Sequence, residues 1–324
     1  MSDHLDTLKV TALAGGVGGA KLALGLQKAL PPGNLNVIVN TGDDFEHFGL
    51  AISPDVDTVC YTLAGKADLG HGWGLQGESW QVLSALAALS APTWFQLGDR
   101  DLATHLERTR LLKAGWSLSQ VTEHFCRLWG VLSHVQPMSD QAFRTLIRTQ
   151  AGELLAFQEY FVRERCEPPV AEIVFQHAEG IQPAPNVLSA IEAADLVGIC
   201  PSNPWVSIDP ILALPGVRAA LSRKVVVAVS PLIQGKTVKG PAAKMAQELG
   251  YEVSAMGILT HYAGLIGGFI YDQLDQENFK NNVYPGIIKK ATNILMKNDE
   301  DKLRVAQEIL KLGSSLLETT HQDD

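Results

Sequence analysis

The chain is poor in cysteine, short of positive charge and free of long apolar runs. Its four cysteines, Cys60, Cys126, Cys166 and Cys200, stand at spacings that fit neither a zinc site nor a redox pair. A chain of 324 residues has no need of disulfide staples, so buried thiols in a cytoplasmic protein are the expectation. The most apolar stretches, such as VVVAV at 225–229, are far too short to cross a bilayer. The opening MSDHLDTLKV has no signal-peptide core. Lys plus Arg number 26 against 35 Asp plus Glu, a net charge of −9. That balance excludes the broad basic surface that holds nucleic acid. An anionic ligand must instead be held locally, by backbone amides, a few cations or a metal. No repeat, low-complexity tract or lipidation signal is present.

What the chain does have is apolar content, 46%, enough for a sizeable core. The length suits two domains or one large α/β domain with an insertion. A strand over about 8–14 runs into glycines at 15, 16, 18 and 19, and AKLALGLQKAL then has helical spacing until Pro31-Pro32-Gly33 stops it. LNVIVN, 35–40, reads as a buried second strand. This βαβ opening predicts a Rossmann-like parallel sheet with helices on both faces. Helices are expected at 55–64, 78–90 and, as a pair broken near Gly115, at 101–130. Strands or long hairpins are expected within 134–175. The division that follows is a nucleotide-binding core at 1–98 and 180–324, with an inserted α+β subdomain at 99–179. In the core's second half, strands are expected at 196–200, 224–230, 252–258 and 283–288. Helices are expected at 185–194, 241–249 and 299–318.

The chemistry concentrates in loops that follow strands. Gly15, Gly16, Val17, Gly18 and Gly19 let backbone approach a phosphate, and the helix behind them offers free N–H groups and a partial positive charge. Lys21 takes the third glycine place of the dinucleotide fingerprint, and Leu22 stands where a Walker A loop needs Ser or Thr. Asn40-Thr41-Gly42-Asp43-Asp44 lies just past the second strand, and Asp57 lies in SPDVDT. Ligands bind beyond the carboxyl ends of parallel strands. Hard oxygens from two such loops suit Mg²⁺, which takes one or two carboxylates plus phosphate oxygens. Asp44 and Asp57 are therefore the metal and catalytic candidates, whereas Asp55 reads as a helix-start residue. Arg100, between Asp99 and Asp101, is either a clamp or a ligand contact. Ser202, Asn203 and Pro204 follow the strand at 196–200, and Ser230 and Lys239 follow the one at 224–230. Together these loops read as a site for a nucleoside diphosphate. No spacing points to acyl transfer.

Taken together, LAGGVGGAKLALGL, VNTGDD, SPDVDT, LGDRDLATH, QPMSD, PSNPWVSIDPIL and VVAVSPLIQGKTVKGPA resemble the 2-phospho-L-lactate transferase family of coenzyme F(420) biosynthesis. Order and spacing are kept nearly end to end, and GGVGGAK and TGDD look closer to the bacterial branch. The resemblance implies a Mg²⁺-dependent, homodimeric enzyme. It would move a phospholactyl, phosphoenolpyruvyl or phosphoglyceryl group from a GDP-linked donor to the ribityl hydroxyl of the deazaflavin Fo, releasing GMP. It also implies that Gly15–Gly19 and Ser202-Asn203-Pro204 hold the guanosine diphosphate part and that Asp44 and Asp57 place the metal. Asp57 and the Gly98-Asp99-Arg100-Asp101 turn would border the deazaflavin. The rival expectation is a non-catalytic nucleotide-sugar-binding regulator of the gluconeogenesis-factor type. A dinucleotide-dependent oxidoreductase is weakened by Asn40, which stands where an acidic ribose ligand would end strand two.

Overall fold

The structure is a computed structural model that describes residues 7–68, 70–280 and 284–320. Its first strand, β1 (Val10–Ala14), is buried at all five positions. Only a strand paired on both edges and covered on both faces is buried throughout, and the one hydroxyl of β1, on Thr11, donates to the Ala190 carbonyl at 2.8 Å. In chain order the others are β2 (Leu35–Val39), β3 (Phe45–His47), β4 (Leu50–Ile52), β5 (His134–Pro137), β6 (Phe143–Thr149), β7 (Leu154–Ala156) and β8 (Val170–His177). They continue with β9 (Leu196–Ile199), β10 (Val225–Val229), β11 (Leu232–Ile233), β12 (Lys236–Thr237), β13 (Gly268–Asp272) and β14 (Ile288–Thr292). Seven of them form one sheet in the order β14-β13-β10-β9-β1-β2-β5, and every pair in it is parallel. Chain order reverses between β1 and β9, so the switch point where such sheets bind ligands lies between them.

Alternation along the strands feeds two cores. Leu13, Ile38, Val197 and Val226 face one, and Ala12, Val37, Leu196 and Val227 face the other. The second face is covered by α1 (Gly16–Ala29), α2 (Pro54–Leu63) and the C-terminal helix Asp299–Thr320, through Leu22, Leu26, Val59, Val305 and Ile309. Three further helices follow α2: α3 (Gln81–Ala88), α4 (Asp99–Lys113) and α5 (Leu118–Trp129). A capping box at Ser117 and Gln120 starts α5, and left-handed Gly130 ends it.

The stretch 99–179 carries its own antiparallel sheet, β7-β6-β8, but it also gives β5 to the main sheet. Phe143, Ile147, Leu155 and Val170 join the core under β1 and β9. Three sequence expectations fail. The strand expected at 283–288, whose first residue lies outside the described ones, begins only at Ile288 and runs to Thr292. The strand expected at 252–258 is instead the start of the helix Ala255–Tyr262, because Ser254 Oγ caps it by accepting the Gly257 N–H at 3.0 Å. The expected long strand through Phe157–Val162 stops at Ala156 and becomes the helical turn Glu159–Arg163, which packs Tyr160 into the core. The β3–β4 hairpin, which ends at Ile52 just before α2, is a feature the periodicity did not indicate.

Close packing of α1 on the C-terminal helix depends on Gly25, where an added Cβ would collide with the Lys302 backbone carbonyl. Gly25→Ala should lower stability by about 1–3 kcal/mol, the usual cost of overpacking, with an unchanged m-value in urea. An unaltered midpoint would show that the two helices can slide apart freely.

Candidate functional site

Beyond the carboxyl ends of β1, β2, β9 and β10 lies a cleft of about 640 Å³. Its floor is the β1–α1 turn. Gly15 is extended and Gly16 has φ +60°, a conformation natural to glycine. The other glycines answer to packing. A Cβ at Gly18 would collide with the Pro201 carbonyl, one at Gly15 with Asp55 and Ser207, and one at Gly19 with Ser202. Ser202 Oγ accepts the Gly15 N–H at 3.0 Å and donates to the Gly15 carbonyl at 2.7 Å, tying the loop after β9 to the loop after β1. Gly16, Val17 and Gly18 line the cleft with the first turn of α1, whose N–H groups have no intrahelical partner.

Lys21 and Lys239 bring positive charge to the same end. The Lys21 ammonium donates to the Met296 carbonyl at 3.0 Å, and Lys239 donates to the His71 carbonyl. Burial lowers both pKa values, with Lys302 and Lys239 lowering Lys21 further. Asn203 and Ser230 also line this end. Asn203 Oδ1 caps the following turn by accepting the Trp205 N–H, and Ser230 Oγ accepts from the Leu232 N–H. Gly19 and Pro204 sit behind the wall rather than in it.

The acidic residues divide in a way that the sequence does not show. Asp43 and Asp55 face the cleft, and both accept from Asn40 Nδ2, at 3.4 and 2.9 Å. Asp55 Oδ1 also accepts the Gly16 N–H at 2.7 Å, and Gln158 donates to Asp43 at 2.7 Å. Asp55 is thus part of the floor as well as a helix-start residue. Burial raises its pKa to about 6, against the pull of Asn40 and the Gly16 N–H. Burial, with Asp55 and Asp44 nearby, raises that of Asp43 well above the carboxylate range. Asp44 lies behind this pair. Ser53 donates to its Oδ2 at 2.8 Å, its Oδ1 is buried without a partner among the described residues, and burial raises its pKa to about 7. Asp57 lines the cleft, but both its oxygens are bound by the Arg108 guanidinium, a side chain only 1% exposed.

Arg108 belongs to a polar stripe on α4. Asp101, His105 and Arg108 recur at helical spacing and meet Asp57 and Tyr61, one turn apart on α2. Asp101 and His105 line the cleft beside Tyr61, Trp94 and Phe95. The last two continue into a cluster with Phe45 and His47. Asp99 and Arg100 are not brought into the cleft. Asp99 caps α3 by accepting from Ser79 Oγ and from the N–H groups of Gln81 and Val82. Arg100 is exposed and donates to the Gln76 carbonyl at 2.8 Å. Both residues face away because Gly98 starts α4 under Glu78, which accepts the N–H groups of Arg100 and Asp101.

A model of the family described as 2-phospho-L-lactate transferase CofD matches residues 10–308. The chain belongs to the CofD family. It is 40% identical over 316 residues to a phosphoenolpyruvate transferase of Streptomyces griseus, covering 95% of this chain and 99% of that one. It is 38% identical over 301 residues to a 2-phospho-L-lactate transferase of Methanospirillum hungatei, covering 93% and 99%. Among solved structures, a UPF0052-family protein of Bacillus halodurans superposes with a TM-score of 0.62 over 94% of this chain and 100% of that one. Its 15% identity makes this a likeness of fold.

In this CofD chain, sequence reasoning placed Asp101 beside the deazaflavin but missed Asp43, Arg108, Trp94 and Phe95 as parts of the site. The i, i+4, i+7 stripe on α4 was the signal that could have found Arg108.

Two outcomes follow from the acid cluster. Asp57→Asn should destabilise the protein by about 3–5 kcal/mol without any ligand or metal, because it strands a buried guanidinium. A midpoint equal to wild type in urea would show that Arg108 finds another partner. Asp44 behaves oppositely. With its folded pKa raised from 3.8 to about 7, its contribution to stability is present below pH 3.8 and lost as pH rises through 7. The stability of Asp44→Asn relative to wild type should therefore climb between pH 4 and pH 8 by a few kcal/mol. Parallel curves would refute the raised pKa.

Proposed function

We propose that the protein transfers a phospho-acid group from a GDP-linked donor to the ribityl hydroxyl of Fo, releasing GMP, in coenzyme F(420) biosynthesis. The observation that carries this reading is the polarity of the cleft. One end has a helix start, Lys21 and Lys239 for a diphosphate. The other has Trp94 and Phe95, apolar faces against which a planar tricycle can stack, with buried Tyr61 behind them. The acidic pair lies between them. Relatives named phosphoenolpyruvate transferase and 2-phospho-L-lactate transferase support transfer over a non-catalytic regulator.

In this reading Gly16–Gly18, Lys21, Ser202, Asn203, Ser230 and Lys239 hold the donor nucleotide and its phosphates. Lys239 must exchange the His71 carbonyl for a phosphate oxygen. Mg²⁺ fits the site, but at Asp43 and Asp55 rather than at Asp44 and Asp57. Two buried carboxylates share one amide donor; burial raises both pKa values, and Asp55 and Asp44 raise that of Asp43 further. Both oxygens of Asp57 are already paired with the Arg108 guanidinium. Among the described residues no three His, Cys, Asp or Glu form a metal cluster, in keeping with an ion completed by phosphate oxygens. Bound there, Mg²⁺ would neutralise charge on the leaving diphosphate. The chain itself positions the reactants and excludes water, which is most of what such a transfer requires.

Mass spectrometry of the products from Fo and each of the three guanylylated donors tests the reading. One donor should yield GMP and a phospho-acid ester of Fo, and no GMP from any donor would sink it. Asp43→Asn and Asp55→Asn should each lower turnover by roughly 10²-fold or more and weaken the Mg²⁺ dependence. Trp94→Ala should raise the KM for Fo several-fold and leave that for the donor in place. If both KM values rise equally, the aromatic wall serves only to shape the cleft.

A further inference from the structure

The proposed transfer needs an acceptor for the proton of the attacking hydroxyl, and the cleft offers few. Asp57 gives both oxygens to Arg108. Asp55 accepts at both, from Gly16 and Asn40, and so does Asp43, from Asn40 and Gln158. Asp44 is behind the wall. Asp101 differs. Its Oδ1 accepts the Tyr61 hydroxyl at 2.7 Å, and its Oδ2 takes no hydrogen bond from the described residues. It lines the end of the cleft that carries Tyr61, Trp94 and Phe95.

Its surroundings keep it charged. On its own helix it faces His105 and Arg108; from α2 come Tyr61 and Asp57; Glu78 accepts its backbone N–H. Arg108 Nη1 lies 3.0 Å from His105 Nδ1. His105 Nε2 lies 3.4 Å from Asp101 Oδ1. Burial alone would raise the pKa of Asp101. His105, Tyr61 and Arg108 more than offset it, and the carboxyl lies below its ordinary range. Asp43, Asp44 and Asp55 shift the other way.

We propose that Asp101 is the catalytic residue that receives the acceptor's hydroxyl proton, through Oδ2. The inference rests on the transfer reading above. As the bond from the ribityl oxygen to the phosphorus bearing the acid group forms, the bond from that phosphorus to the GMP oxygen breaks. GMP departs with the electron pair, and the proton passes to Asp101 and then to solvent. As the new P–O bond forms the hydroxyl becomes acidic, so a positioned, ionised carboxylate serves even though it is a weak base.

The test measures kcat and both KM values for the Mg²⁺-loaded protein with Fo and donor, from pH 6 to pH 9. Asp101→Asn should lose about 10²-fold or more in kcat with KM values near wild type. Its rate should rise with pH where that of the wild type is flat. Asp101→Ala should regain activity on addition of formate, a recovery that a purely structural carboxylate would not allow. Asp101→Glu keeps the charge but misplaces the oxygen, and should fall at least about tenfold. If Asp101→Asn does not fold, Asp101→Glu and the formate response decide. The proposal is overturned by an Asn variant within about tenfold of wild type, by a loss confined to KM, or by an Ala variant indifferent to formate. Wild-type protein that releases no GMP from any donor would instead overturn the transfer reading itself.

Discussion

The cleft depends on how closely two chain segments approach at the switch point of the sheet. Ser202 both accepts from and donates to Gly15, so the loop after β9 lies directly on the turn after β1. So close an approach leaves no room for a Cβ at Gly15, Gly18 or Gly19, which would meet Asp55 and Ser207, the Pro201 carbonyl and Ser202 in turn. The same contact fixes the start of α1, and Asp55 then reaches the Gly16 N–H and draws the start of α2 into the floor. Helix start, acidic pair and strand-end loops are thus placed by a single crossing of main chain.

Around that crossing, five aspartates are put to different uses by their neighbours. Asp99 is spent on a helix cap and Asp57 on a buried guanidinium. Asp43 and Asp55 are crowded together with one amide between them, so charge there is costly until something positive arrives. Asp101 is ringed by donors and remains charged in an equally buried place. Sequence neighbours such as Asp43 and Asp44, or Asp99 and Asp101, end in opposite environments, because a step of one or two residues in a loop or a first turn reverses the facing direction.

Much of the fold was legible. Apolar runs bounded by glycine and proline mark β1, β2, β9 and β10, and those strands fix the parallel sheet and the edge at which ligands bind. The glycine loop, the two strand-end loops and the two lysines lie along the cleft at that same edge. The failures have physical causes. AMGILTHY is a short apolar run that periodicity alone cannot assign to strand or helix, and the Ser254 cap decided it. The Asp57–Arg108 pair joins residues 51 apart in the chain. Nothing local announces it, although the stripe on α4 shows that a polar face there had to be matched by something. Trp94 and Phe95 sit in a stretch without regular structure, where no period exists to read.

The packing origin of the glycine loop bears on how the family can diverge. Three of its glycines answer to Asp55, Ser207, Pro201 and Ser202, all within the chain, rather than to a bound molecule. Such a loop is inherited with the architecture. Drift in the preferred donor, or even the loss of chemistry, would leave GGVGG untouched. Substitution history around Phe157–Arg165 and Trp94–Gln96, which line the cleft under no comparable main-chain constraint, is where functional divergence would be recorded.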